Sequence, residues 1–148
     1  MRRRARGMTL VELMLAVLIV GVLSAIASAG YGHYRSKLNI RIAVQDIAMM
    51  SMLIKGMCEE DRECPAALPS SLAGKLDPWG QPYRYFAIGL GPKGHSRKDH
   101  SLVPINSDFD LYSVGPDGKS SPPLTAKGSR DDIVRASDGG FIGVAADY

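Results

Sequence analysis

Residues 7–30 read GMTLVELMLAVLIVGVLSAIASAG. This stretch has a single carboxylate near its start and is otherwise an uncharged apolar run. From Leu13 to Gly30 there are eighteen residues without a charged side chain. That length is close to the roughly 20 apolar residues that span the core of a bilayer. Four arginines precede the run, and basic flanks stay on the cytoplasmic side. The stretch therefore predicts a membrane-inserted helix with its N terminus in the cytoplasm.

The rest of the composition is that of one modest domain. The chain has 148 residues, of which 45% are apolar and 22% are charged. Its formal charge of +3 depends on four arginines in the first seven residues, and without them the net charge is −1. No overall attraction to nucleic acid follows, and no nucleic-acid partner is expected.

Three interpretations of the N-terminal segment compete: an ordinary signal peptide, a permanent membrane anchor and a prepilin signal. Ala25-Ile26-Ala27 and Ala27-Ser28-Ala29 both fit the small-residue rule for signal-peptide cleavage. Glu12 argues against this interpretation, because a carboxylate carried to the bilayer centre costs about 2.5 to 3.5 kcal/mol. A carboxylate that snorkels to the interface would explain Glu12 without any special function.

The order of Gly7-Met8-Thr9-Leu10-Val11-Glu12 behind a short basic leader resembles the prepilin signal of type IV pilins and type II secretion pseudopilins. In that family a membrane-embedded aspartyl peptidase cuts after the glycine and methylates the new N-terminal residue. The resemblance implies cleavage between Gly7 and Met8, N-methylation of Met8, and Glu12 as the acidic fifth residue of the mature chain.

Cleavage would give Glu12 a physical role. The new α-amino group of Met8 is a cation at membrane depth, and Glu12 is an anion about one helical turn away. In the family the acidic residue neutralises the amine of a neighbouring subunit, so a charge that is costly in an isolated helix favours assembly. The resemblance implies that Glu12 sets the register of subunits in a filament.

The helix is expected to continue beyond the membrane, because no proline occurs before Pro65. An apolar stripe recurs at three- and four-residue spacing. Its members are Ile40, Ala43, Val44, Ile47, Met50, Ile54 and Met57. A helix from Met8 to Met57 would be roughly 75 Å long at about 1.5 Å per residue, too long for one crossing. Four methionines near its end are expected to pack in the core, namely Met49, Met50, Met52 and Met57.

After Cys64 the sequence changes to short β-prone stretches separated by Pro, Gly, Ser and Asp. Residues 77–80, DPWG, predict a turn, and residues 83–88, YRYFAI, predict a strand. A second strand is predicted at about residues 110–114. Trp79, Tyr83 and Tyr85 are expected to pack the sheet onto the helix.

DPWGQPYRY together with the later FDLYSVGPDG, residues 109–118, resembles the major pseudopilin of the type II secretion system. The resemblance implies an α+β pilin-like fold, with a long N-terminal transmembrane helix packed on a small antiparallel β-sheet. Four parts are expected: a leader at 1–7, a transmembrane half-helix at 8–30, a periplasmic half-helix at 31–57, and a β-rich domain with a loop-rich C terminus at 58–148.

The same resemblance implies a calcium site in the loop after the second strand. The matching positions are Asp117, Asp131 and Asp132, with the carbonyl of Val114. Oxygen ligands from a loop suit this hard cation, and binding would order a segment with little apolar content. Lys119, Lys127 and Arg130 lie beside these carboxylates and offer the alternative of an ion-paired loop without metal.

Cys58 and Cys64 are the only cysteines, and pairing them would close a small acidic loop. An exported domain favours a disulfide, because oxidising compartments favour pairing. The alternative is two reduced thiols at a helix end. Two sulfurs without a nearby histidine do not complete a tetrahedral metal shell.

Residues 91–100, GPKGHSRKDH, are basic. A basic loop could touch DNA in a DNA-uptake pilin, but without interleaved aromatic residues we expect this loop to be solvated. No nucleophile elbow, phosphate loop or pair of catalytic acids occurs in the sequence, so we do not expect an enzyme.

The resemblance implies a pseudopilin of the inner membrane, with its C-terminal domain in the periplasm. Its subunits would form a homo-oligomeric filament that drives type II protein secretion. The implied partners are prepilin peptidase, the minor pseudopilins, the inner-membrane assembly platform and an ATPase. Two alternatives stay open: a type IV pilus or DNA-uptake pilin, and a Sec-exported soluble binding protein.

Overall fold

A computed structural model of the chain describes residues 7–58, 64–91 and 94–148. Most of the predicted leader therefore lies outside the described residues, as do Lys93 and residues 59–63 of the acidic loop. The chain divides into two compact units, Met1–Lys37 and Leu38–Tyr148.

One long helix, α1, covers Leu10–Lys55 and begins in the first unit. It is two residues shorter at each end than expected, because Thr9 caps its start and a turn at Gly56 and Met57 follows its end. By length and composition α1 can cross a membrane, and its most apolar eighteen-residue window has no buried residue. The sequence correctly predicted a long helix with an apolar first half.

Within the described residues of the second unit, four short strands form one antiparallel sheet in the order β1-β2-β3-β4. The strands are β1 Arg84–Ala87, β2 Phe109–Ser113, β3 Ile133–Ala136 and β4 Phe141–Val144. Short 3-10 helices lie at Lys127–Ser129, Ser137–Gly139 and Ala145–Asp147. The predictions of β1 and β2 are confirmed to within a residue or two, whereas the sequence analysis did not predict β3 and β4.

The second half of α1 forms one wall of the core. Its buried side chains are those of Ala43, Ile47, Met50 and Ile54. They belong to one cluster with Tyr83, Phe109, Leu111 and Ile133, and Trp79 and Tyr85 pack against it. The expected apolar stripe, apart from Met57, and the structural role of the three aromatic residues are therefore confirmed.

The expectation that all four methionines pack in the core is wrong for three of them. Met49, Met52 and Met57 are 54%, 78% and 50% exposed, whereas Met50 is buried. Met49 and Met52 lie on other faces of α1 than the stripe that meets the sheet. Met57 follows the end of the helix, so it does not continue the stripe.

A buried arginine attaches the sheet to α1. Arg135 of β3 donates to both carboxylate oxygens of Asp108, at 2.8 and 2.7 Å, and to the hydroxyl of Ser51 on α1, at 2.8 Å. Its guanidinium carbon lies 4.0 Å from the centre of the Phe109 ring. Arg135 is 1% exposed, so the whole charge is held inside the core. Because each donor group meets an acceptor or a ring, the buried charge is compensated.

Replacing Arg135 should strongly reduce the stability of the second unit. We expect Arg135→Ala to destabilise the second unit by about 3 to 5 kcal/mol, because it leaves the carboxylate of Asp108 buried without its partner. The measurement is urea unfolding of the full chain in detergent micelles, followed by the fluorescence of Trp79, the only tryptophan.

Arg84→Ala is the matched control, since Arg84 is an exposed arginine on the neighbouring strand β1. It should change stability by less than about 0.5 kcal/mol. Equal effects of the two variants would show that the buried pair does not hold the sheet.

Candidate functional site

The predicted processing site is exposed. Gly7, Met8 and Thr9 have no regular secondary structure, and they directly precede α1. Met8 is 66% exposed. A peptidase binds its substrate as an extended segment. Because the peptide bond between Gly7 and Met8 lies before α1, no helical turn has to unwind for cleavage.

Thr9 and Glu12 form a reciprocal cap at the start of α1. The backbone N–H of Glu12 donates to the Thr9 hydroxyl at 3.3 Å, and the backbone N–H of Thr9 donates to the Glu12 carboxylate at 3.5 Å. This is the capping box, which satisfies two of the four N–H groups that a helix start leaves without partners. The carboxylate is also favoured by the positive end of the helix dipole. The carboxylate of Glu12 is thus held at the helix start, four residues after Met8.

The sequence analysis did not use this cap, although its signal was visible. Thr-x-x-Glu before an apolar run is the sequence pattern of a capping box. The cap explains in local terms why a threonine and a glutamate accompany the apolar segment, and it adds to the assembly role that the resemblance implies for Glu12.

The apolar side chains that follow are exposed within the first unit. Val11, Leu15, Leu18 and Val22 are each more than half exposed. A contiguous apolar surface of this kind belongs against lipid or against another protein. The described part of this segment therefore has the surface of a membrane-inserted helix.

A disulfide closes the end of α1. The sulfur atoms of Cys58 and Cys64 are bonded, and their Cα atoms are 4.2 Å apart. Cys64 is buried in the same cluster as the stripe of α1. Tyr85 also holds this segment, because its hydroxyl donates to the carbonyl of Pro65 at 2.7 Å. The bond thus joins the helix end to the start of the loop-rich region.

Removing the disulfide should reduce the stability of the second unit moderately. For a loop this short, the double variant Cys58→Ser/Cys64→Ser should lose about 2 kcal/mol, because the unfolded chain gains freedom. The measurement is thermal unfolding of the full chain in micelles, with the single variant Cys64→Ser and reduced wild-type chain as controls. Unchanged stability of the double variant would contradict a structural role for the disulfide.

The predicted calcium residues do not converge on one point. Asp131 and Asp117 meet near the end of β2, where Asp131 accepts a hydrogen bond from the backbone N–H of Asp117 at 3.2 Å. Gly115 follows Val114 with φ of +66°, and a Cβ there would overlap the Asp131 carbonyl. Asp132 is 0% exposed and is ion-paired elsewhere.

Asp132 instead pairs with Arg97. The Arg97 Nη2 donates to Asp132 Oδ2, and Nη1 donates to the hydroxyl of Ser120 at 2.6 Å and to the carbonyl of Ser121. Ser120 also donates to Asp132 Oδ2, at 2.6 Å. The Arg97 guanidinium lies 4.4 Å from the centre of the Tyr112 ring. Arg97 is 2% exposed, so the expectation that it belongs to a solvated basic loop is wrong.

The Arg97 site lies on the outer face of the sheet. Val134 belongs to a second buried cluster, separate from the one that contacts α1, and the half-buried Tyr112 packs against it. The backbone N–H of Arg97 donates to the carboxylate of Asp110 at 2.6 Å, and Asn106 donates to the same carboxylate at 2.9 Å. Polar groups therefore continue from the sheet into the loops that cover it.

Burial dominates the electrostatics of these carboxylates. It raises the pKa of Asp132 to about 6, although the Ser120 hydrogen bond and the charge of Arg97 both lower it. It also raises the pKa of Asp110 against the opposing hydrogen bonds of Arg97 and Asn106. A pKa of about 6 leaves Asp132 mainly ionised at neutral pH, so the pair with Arg97 is an ion pair there.

The calcium prediction stays a prediction, but Asp132 does not fit a ligand set shared with Asp117 and Asp131. One of its oxygens is held by Arg97 and Ser120, and the guanidinium would repel a second cation. Among the residues that the structure describes, no three His, Cys, Asp or Glu side chains are grouped as metal ligands. Asp117, which is exposed, and Asp131, which is half-buried, remain near each other.

Comparisons with known proteins agree with the site at the N terminus. Residues 2–28 match the family described as the prokaryotic N-terminal methylation motif. The chain is 28% identical to the type II secretion system core protein G of Pseudomonas aeruginosa, over 80% of this chain and 88% of that protein. It is also 28% identical to two fimbrial proteins of Pseudomonas aeruginosa, over 90% of this chain and 81% of each of them. No solved structure gives a significant match.

The methylation motif covers the exposed Gly7–Met8 peptide and the Thr9–Glu12 cap, and the similarity to core protein G extends through most of the C-terminal unit. The α+β architecture, with one long apolar helix and a four-stranded antiparallel sheet, agrees with both. The chain therefore carries a prepilin-type N-terminal methylation motif and is similar, over most of its length, to a type II secretion core protein G and to fimbrial proteins.

Proposed function

We propose that the chain is a structural subunit of a pseudopilus, the periplasmic filament of type II protein secretion. Prepilin peptidase cuts between Gly7 and Met8 and methylates Met8. The mature subunit stays in the inner membrane, with its second unit in the periplasm, until it enters the filament. The observation that carries the proposal is the carboxylate of Glu12, held at the start of an exposed apolar helix directly after an exposed Gly7–Met8 peptide.

The charge arrangement supports assembly. After cleavage the α-amino group of Met8 and the carboxylate of Glu12 are opposite charges at membrane depth. In an isolated helix each is poorly solvated, whereas a neighbouring subunit can pair the charges across two helices. The capping box keeps the carboxylate at the helix start, where such a neighbour would meet it.

The exposed face of α1 in the second unit supports contact between subunits. Four apolar side chains there point away from the core, with 40% to 54% of their surface exposed. They are Leu38, Ile42, Met49 and Leu53. Neighbouring helices in a filament would cover this face, which would explain why Met49 is exposed and does not pack in the core.

The role is structural and not catalytic. Energy for extension comes from a partner ATPase, and the inner-membrane assembly platform delivers subunits to the filament. Minor pseudopilins are the further partners. The support for these partners is the similarity to core protein G.

A type IV pilus subunit is the second candidate, since two fimbrial proteins are also similar to the chain. Deletion of the gene in its native host separates the two functions. Retention of secreted proteins inside the cell supports the pseudopilus. Loss of surface fibres or of DNA uptake with normal secretion supports the pilus.

The assembly role of Glu12 can be tested with Glu12→Gln, which keeps the size and a hydrogen-bonding group but removes the charge. Loss of a buried charge pair costs about 3 kcal/mol per contact, or more than about 100-fold in an association constant. Filaments sheared from cells that overproduce the chain should therefore disappear from immunoblots, while the mass of the membrane-bound subunit still shows cleavage after Gly7.

Asp147→Asn is the control, because it removes an exposed carboxylate far along the chain from Glu12. It should assemble like the wild-type chain. Normal filaments from Glu12→Gln would show that assembly does not need the charge of Glu12. An uncleaved Glu12→Gln chain would show that Glu12 is needed for processing instead.

A further inference from the structure

The loop that follows β2 is organised around a cation that the chain itself supplies. Residues 119–132 contribute three oxygens that contact one guanidinium: the Ser120 hydroxyl, the Ser121 carbonyl and the Asp132 carboxylate. A side-chain hydroxyl, a main-chain carbonyl and a carboxylate are also the oxygen types that hold a hard cation in a loop. Here they surround Arg97, which is 2% exposed.

Arg97 reaches this position from a different segment and is itself fixed there. Its backbone N–H donates to Asp110 of β2, and its carbonyl accepts from Ile105 at 3.0 Å. The backbone of the next residue, Lys98, makes two hydrogen bonds to the same loop, each at 2.9 Å. Its N–H donates to the carbonyl of Pro122, and its carbonyl accepts from the N–H of Leu124. The backbone therefore brings the two segments together, and the guanidinium fills the space between them.

The carboxylate of Asp132 is already paired with one positive charge, that of Arg97. Two atoms of the pair, Arg97 Nε and Asp132 Oδ1, have no hydrogen-bond partner among the described residues. Side-on pairing of an arginine with a carboxylate uses Nε together with Nη2, so the two unpartnered atoms belong to the same incomplete fork. A divalent ion bound at Oδ1 would lie beside the guanidinium and be repelled by it.

We propose that Arg97 is the internal cation of this loop and replaces calcium there, so that residues 119–132 are ordered without a bound metal ion. The loop carries three exposed basic residues, Lys119, Lys127 and Arg130, none of which takes this position. The inference does not depend on filament formation, because every contact lies within the second unit.

The first test uses the wild-type full chain in detergent micelles. We expect the same Tm in millimolar calcium and in excess EGTA. A calcium site filled at about 100 times its Kd would multiply the folding equilibrium constant by about 100 and raise the Tm by several degrees. Such a rise would overturn the proposal, whether or not any variant folds.

The second test reads the loop directly by limited trypsin digestion, since Lys119 and Lys127 are exposed. The wild-type chain should resist cleavage after both lysines in calcium and in EGTA alike. Arg97→Ala should be cleaved there at least about 10-fold faster, because the Ser120, Ser121 and Asp132 oxygens lose their shared donor and local opening becomes easier. Peptide masses identify the sites of cleavage.

Lys98→Ala is the matched control, because it also removes one positive charge and one trypsin site while leaving the Arg97 contacts in place. It should be as resistant as the wild-type chain. If Arg97→Ala fails to fold, the double variant Arg97→Met/Asp132→Asn removes both charges and should recover a cooperative transition with a loop that is still cleaved. A resistant loop in either Arg97 variant would overturn the proposal.

Discussion

The sheet of this protein depends on one face of α1. Its strands are four or five residues long, and a small sheet of this kind needs a partner that covers its apolar face. Ala43, Ile47, Met50 and Ile54 provide that cover, and the disulfide of Cys58 follows them at the helix end. Among the described residues of its own unit, the first half of the same helix has an apolar window that is not buried. One helix therefore presents two kinds of apolar surface, one buried in a protein core and one exposed.

Two buried arginines organise the two faces of the sheet. Arg135 joins β3 to α1 through Asp108 and Ser51, and Arg97 joins the outer loops to the sheet through Asp132. Buried ion pairs add little net stability compared with apolar packing, but they hold a specific arrangement, because breaking one leaves a bare charge. In a loop-rich domain with a modest core, these pairs define how the loops lie.

Sequence patterns predicted the parts of this fold that depend on local chemistry. The apolar stripe of α1, the Asp77–Gly80 turn and the first two strands were visible as periodicity and turn residues. The strands β3 and β4 were not, because Gly139 and Gly140 interrupt the segment and its apolar runs are short.

The buried arginines could not be predicted in the same way. Arg97 lies among basic residues that look solvated, and its partner Asp132 is 35 positions away. Arg135 meets Asp108 across 27 positions and Ser51 across 84. Only the folded chain brings these groups together, so their burial is information that a local pattern does not carry. For the same reason, the resemblance could match Asp131 and Asp132 as neighbours in sequence but could not show that Asp132 pairs with Arg97.

The most direct test of the account is the mass of the mature chain, because the prepilin interpretation, the cap at Glu12 and the filament all depend on where the mature chain begins. Intact-mass and N-terminal peptide spectrometry on the membrane fraction of the native host provides this measurement. The account predicts a chain that starts at N-methylated Met8. A chain that starts at Ser28 or Gly30 would contradict it, and would indicate a soluble exported domain released by signal-peptide cleavage.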